Sequence, residues 1–139
     1  MSMDLVLGTV QFGLPYGIAG RLTRMGDDEV RGILALAWER GIRWLDTAPA
    51  YGDIEPRLDH LCGPHGFEVI SKVPSLGSGL AGMDKQRAVL SHAQTSAERL
   101  GGRLRGLLFH DAHDLDGGDA PALWQALRAW AGPAGVRLG

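Results

Sequence analysis

This chain of 139 residues has one cysteine, no asparagine and, among 14 lysines and arginines, only two lysines. A single thiol, Cys62, excludes an internal disulfide and fits a reducing compartment. Basic stripes are missing too: the net charge is −2 with both signs interspersed, which leaves no electrostatic footing for nucleic acid or an anionic membrane. No apolar run approaches the length that spans a bilayer. The opening Met1-Ser2-Met3-Asp4-Leu5-Val6 has neither a cationic start nor a long apolar stretch, so no signal peptide is read there. These absences lead to the expectation of a soluble cytoplasmic protein with a single core, residues 1–139 being of one-domain size.

The scarcity of lysine makes the two that remain informative. A chain that writes arginine almost wherever a cation serves has kept Lys72 at the end of an apolar strand. An ammonium is compact and its proton affinity responds to its surroundings, which a guanidinium's does not. Lys85, at a helix start, reads as a solvated charge.

Strands and helices alternate along the chain. Leu5–Val10 reads as a strand and the Gly- and Pro-rich stretch 13–20 as a loop. A helix follows from Asp27, whose acidic start meets the positive end of the dipole; Val30, Ile33, Leu34 and Ala37 form its stripe and Gly41 its cap. Then come a strand Ile42–Asp46, a short helix Ile54–Leu61 with Pro56 in its first turn, and a strand Phe67–Lys72. A helix Met83–Leu100, a strand Leu104–His110, a helix Pro121–Ala131 and a last strand-like run, Gly135–Leu138, complete the order. Such βα alternation means a parallel sheet with helices outside, and the near-continuous apolar strands suit burial on both faces.

Three strands end on a polar residue: Asp46, Lys72 and His110, with Tyr51 in the loop after the first. Side chains from successive parallel strand ends converge at the C-terminal face of a βα-barrel, which favours a barrel over an open doubly wound sheet. An eight-stranded barrel takes about 250 residues. The expectation is therefore α/β of the (β/α)8 TIM-barrel type, cut to about the first four βα units plus the start of strand 5. Two unpaired edges would then invite self-association.

At this point the residues resemble the aldo/keto reductases. Leu7-Gly8-Thr9-Val10-Gln11-Phe12-Gly13, Gly41-Ile42-Arg43-Trp44-Leu45-Asp46-Thr47-Ala48 and Tyr51-Gly52-Asp53-Ile54-Glu55 match that family's N-terminal signature in order. Ile70-Ser71-Lys72 and Leu107-Leu108-Phe109-His110 match its later strand ends, and the opening from Gly8 to Ala19 is similar to a bacterial subgroup. Asp59 departs from the pattern, standing where the family usually has a glycine, and the loop Pro74–Gly82 matches nothing in particular.

The resemblance implies NADPH-dependent reduction of a small aldehyde or ketone, without a metal. Tyr51 would be the proton donor, Lys72 the ammonium favouring its phenolate, Asp46 the carboxylate holding Lys72, and His110 the group that orients the carbonyl. Gly8, Thr9 and Asp46 would be the cofactor contacts in this half. The family's remaining cofactor-gripping residues lie beyond position 139, so a non-catalytic half-barrel is the competing reading.

Each residue also has a bland reading. Asp46 could cap a turn, Tyr51 could be a half-buried surface ring, Lys72 could snorkel and His110 could be structural. Glu55 fits a dipole partner in a first helical turn, and Cys62 fits packing. Two rival motifs are weaker. Gly77-Ser78-Gly79-Leu80-Ala81-Gly82 fits G-x-G-x-x-G, but Pro74, Ser75 and Leu76 separate it from the strand end and the acidic partner is missing. His110-Asp111-Ala112-His113-Asp114 offers ligand types for a metal-dependent hydrolase, yet Lys72 would sit badly beside a cation.

Overall fold

The computed structural model describes residues 5–16, 23–77 and 79–139. Its frame is a parallel five-stranded sheet: β1 (Val6–Gly8), β2 (Trp44–Asp46), β3 (Glu68–Val73), β4 (Leu104–Phe109) and β5 (Arg137–Leu138). Strand order follows chain order, β1-β2-β3-β4-β5. A doubly wound sheet reverses its order at a switch point; this one does not, as a barrel requires.

Among the described residues there are five helices: α1 (Val10–Gly13), α2 (Asp27–Glu39), α3 (Ile54–Cys62), α4 (Gly82–Arg99) and α5 (Ala120–Ala134). A 3-10 turn spans Ala112–Leu115. Among the described residues, no helix is long and apolar enough to cross a membrane.

Period-two alternation sorts the strand residues. Leu45, Val69, Val73 and Leu107 face the helices and are buried against Val30, Leu34, Leu58, Val89, Ala93 and Leu127. Val6, Trp44, Ile70, Gly106, Leu108 and Arg137 line the concave side, around a largely apolar hollow of about 430 Å³ that Leu138 also borders. Burial on both faces, expected from the apolar strands, is therefore found on the outer face alone; Val6 stays 47% exposed. Five strands curl part of the way round a barrel, and among the described residues no wall opposes the interior side.

Several boundaries move. The expected strand Leu5–Val10 stops at Gly8, and Val10–Gly13 forms a short helix in its place. The reason is close packing: a Cβ on Gly13 would stand 1.7 Å from the Tyr51 carbonyl oxygen, so this segment must turn beneath the Tyr51 loop. Most of the expected loop's second half, residues 17–20, lies outside the described residues. The last helix runs to Ala134, past the expected end at Ala131, with Pro133 inside it. The carbonyl that Pro133 cannot bond belongs to exposed Ala129, where water can serve it. Gly135, at φ 67°, closes the helix in the left-handed conformation.

Two side chains depart from their expected settings. Lys85 is 7% exposed rather than solvated, with its ammonium 3.8 Å from an Asp119 carboxylate oxygen. Asp59 does not disturb its helix: Arg103 Nε donates to its Oδ1 at 2.7 Å, and Gly101 leaves room for the carboxylate. The same guanidinium also donates to the carbonyls of His65 and Gly63, tying the end of α3 to the start of β4.

Cys62 is fully buried, and burial pushes its thiol up to about 11. Only the thiolate is nucleophilic. Ellman's reagent at mildly alkaline pH should therefore leave native Cys62 unmodified and react fully once urea unfolds the chain. Rapid labelling of the folded protein would contradict this packing.

Candidate active site

The register of the sheet builds the site. Gly8 stands opposite Asp46, and Asp46 opposite Ile70, so Lys72 lies two residues further along β3 on the same concave side. There its Nζ donates to Asp46 Oδ1 at 2.7 Å and to the Thr47 carbonyl at 3.0 Å. The pair is partly sheltered, with side-chain exposures of 15% for Lys72 and 32% for Asp46. A charge pair in such a setting is screened less than one on the open surface.

Tyr51 follows β2 in a turn closed by its own N–H donating to the Ala48 carbonyl at 3.0 Å. Its ring lies 5.2 Å from Lys72 Nζ. The His110 ring meets it edge-on at 6.5 Å between centroids. His110 stands one residue beyond β4, held by its N–H to the Val73 carbonyl at 3.0 Å. The strand ends thus bring Asp46, Tyr51, Lys72 and His110 together. What the structure does not contain is a direct hydrogen bond from the phenol to the ammonium; the two meet through the ring.

A guanidinium braces this loop from below. Arg57, on α3, donates to the Phe12 carbonyl at 3.0 Å, to Asp53 at 2.8 Å and to Asp27 at 2.6 Å. The bond from Arg57 holds the Asp27 carboxyl below its usual range. These contacts join α1, α2 and α3 around the turn that carries Tyr51.

The other expected contacts fall out differently. Gly8 is exposed, and a Cβ there would meet nothing within 4 Å, so space is open beside Asp46. Thr9 is fully buried; its hydroxyl donates to the Asp46 carbonyl at 2.9 Å. Its bond steadies the Asp46 strand end, and the hydroxyl is turned inward. Sequence reading missed Glu55 as part of this region: it is 1% exposed and accepts bonds from Ser71 and Ser96. A carboxylate four residues after Tyr51 in a helix with buried neighbours was the available signal.

Neither rival motif forms its site. In the glycine run, the Gly82 N–H at the start of α4 donates to Asp119 Oδ2 at 3.0 Å, so a carboxylate already takes the place a phosphate would need. Asp111 accepts from the His113 N–H, capping its own turn, and Asp114 accepts from the Leu76 N–H, which ties that turn to the loop after β3. Among the described residues no three His, Cys, Asp or Glu side chains stand together as a ligand group.

The aldo/keto reductase family model matches residues 4–114. The chain belongs to the aldo/keto reductase family. A crystal structure of a provisionally designated aldo-keto reductase from Pseudomonas aeruginosa is 31% identical, with a TM-score of 0.66, over 91% of this chain and 51% of that one. An aldo/keto reductase structure from Brucella melitensis, 19% identical with a TM-score of 0.59, covers 96% of this chain and 47% of its own and shows the shared barrel fold. No curated protein matches. The chain thus spans about half the length of the solved structures it resembles.

At the rim, His113 Nδ1 lies 2.8 Å from Asp116 Oδ2. That bond first, and the nearby Asp111 charge second, raise the imidazole above its ordinary value. Because the folded value is the higher one, the bond supports the fold below the ordinary histidine value and is lost as pH rises through the raised one. An NMR titration should find the His113 midpoint above that of a free histidine, and Asp116→Asn should bring it down. A midpoint indifferent to Asp116 would refute the pairing.

Proposed function

We propose that this chain carries the acid–base side of an NADP-dependent carbonyl reductase. The observation that supports this most is the Lys72–Asp46 pair at 2.7 Å, with the ammonium 5.2 Å from the Tyr51 ring at adjacent strand ends. Packing alone does not explain a lysine kept partly sheltered beside a carboxylate and a phenol when the rest of the chain is written almost wholly with arginine.

The residues fit a nicotinamide cofactor at one place. Gly8 leaves open space directly opposite Asp46, on the concave side, where a flat ring could approach the strand ends. NADPH, when bound, supplies the hydride for the carbonyl carbon, since no side chain can. This chain's residues then do the rest. His110 directs the carbonyl oxygen toward Tyr51. Tyr51 gives its proton to that oxygen as negative charge develops there. Lys72 stabilises the phenolate left behind, and Asp46 keeps Lys72 in position by hydrogen bond and charge. Water re-protonates the phenol between turnovers. The substrate class is a small aldehyde or ketone.

The test uses the chain joined to the second half of the Pseudomonas aeruginosa relative, followed by NADPH consumption with a small aldehyde. Tyr51→Phe should lower turnover by about 10²–10⁴-fold, the usual weight of a positioned general acid. Unchanged turnover would mean the wrong proton donor. Alone, the 139-residue chain should bind NADPH weakly, because its concave face is open. Tight binding, read by quenching of tryptophan fluorescence, would show that this half already holds the whole grip.

A further inference from the structure

Glu55 is a buried carboxylate that the proton-transfer scheme leaves without a task. It sits in the first turn of α3, four residues after Tyr51, and is 1% exposed. Its Oε1 accepts from Ser71 Oγ at 2.5 Å, and its Oε2 accepts from Ser96 Oγ at 3.2 Å. Ser71 and Ser96 are themselves buried. The nearest cation, Arg99, reaches in from the surface to 3.7 Å, with 45% of its side chain exposed.

A carboxylate in this position is costly to desolvate, and an apolar side chain of similar size would fill the space at less cost. Its yield must therefore be sought in geometry. Ser71 immediately precedes Lys72 on β3, and the two point to opposite faces: Ser71 toward Glu55, Lys72 toward Asp46. One oxygen of Glu55 thus grips the strand that carries Lys72. The backbone of Glu55 belongs to the helix that begins beside Tyr51, and its other oxygen holds α4. The path from the phenol to the ammonium through this bond contains only the turn 51–55 and the step from Ser71 to Lys72.

We propose that Glu55 is a positioning residue: its carboxylate, clamped on Ser71, sets the separation of the Lys72 ammonium from the Tyr51 ring. The inference deepens the proposed reaction, and it gives Glu55 no contact with substrate or cofactor. Arg57 fixes the same turn from the α1 and α2 side, but reaches no residue of β3. Lys72 Nζ itself holds the start of the turn through the Thr47 carbonyl, and Glu55 ties the far end of the turn to β3.

Because the chain has two lysines, the separation can be read directly. In protein made with isotope-labelled lysine, the side-chain methylene next to the ammonium gives one NMR signal each from Lys72 and Lys85, and Lys85→Arg assigns them. The Tyr51 ring current displaces the Lys72 signal, and Tyr51→Leu defines its position without the ring. Glu55→Met, which keeps the size and removes both acceptor oxygens, should move the Lys72 signal most of the way to that position and leave Lys85 in place. Asp59→Ala, which cuts the tie from the same helix to Arg103, should lower stability without moving Lys72. A folded Glu55→Met protein with an unmoved Lys72 signal overturns the proposal, as does an equal displacement in Asp59→Ala. Should Glu55→Met fail to fold, Ser71→Ala removes only the grip on β3, and an unmoved Lys72 signal there is equally decisive. None of these readings depends on turnover, so a failed Tyr51→Phe assay would sink the reaction and leave this result standing.

Discussion

The parallel register between β2 and β3 is the constraint on which the site depends. It places Asp46 beside Ile70, and therefore Lys72 two residues past the carboxylate on the same side of the sheet. A slip of one residue would turn Lys72 toward the helices and bring Ser71 to the concave face. Nothing in the two side chains could repair that. The salt bridge at 2.7 Å is thus a result of strand pairing as much as a contributor to it. What fixes the register is the buried outer face, where Leu45, Val69 and Val73 each fill a place under the helices.

The two faces of the sheet carry different work. The outer face, with its helices, holds nearly all of the apolar core. The concave face holds Asp46, Lys72 and the open space at Gly8. One layer further toward the strand starts, Val6, Trp44, Ile70 and Leu108 line the hollow. Each of those four lies two residues before Gly8, Asp46, Lys72 or His110. The polar groups at the strand ends therefore stand on a layer of largely apolar side chains, with the Arg137 guanidinium over the Trp44 ring beside them.

Much of this was legible in the residues. Asp46, Lys72 and His110 close strands whose apolar runs are plain in the sequence, and strict alternation of strand and helix points to a parallel sheet. Tyr51 could be placed in the loop after β2 because it follows the strand that ends on Asp46. Lys85 was misread because its partner, Asp119, comes from the start of another helix 34 positions away. Burial of that kind depends on which helices pack together, and hydropathy along one helix does not report it. The short β1 had the same origin: the strand was expected to run to Val10, but the Tyr51 carbonyl packed against Gly13 goes with a helical turn from Val10.

By itself, then, the sequence determined the residue types and their order: a carboxylate with a phenol in the loop after it, then an ammonium and an imidazole, each one βα unit further on. Period and spacing are local properties, and local properties survive in one dimension. Only tertiary structure decided that the phenol meets the ammonium through its ring, that Thr9 turns inward to the Asp46 carbonyl, and that Glu55 joins helix to strand. Those are relations between segments brought together by packing, and their distances exist only once the sheet has closed its register.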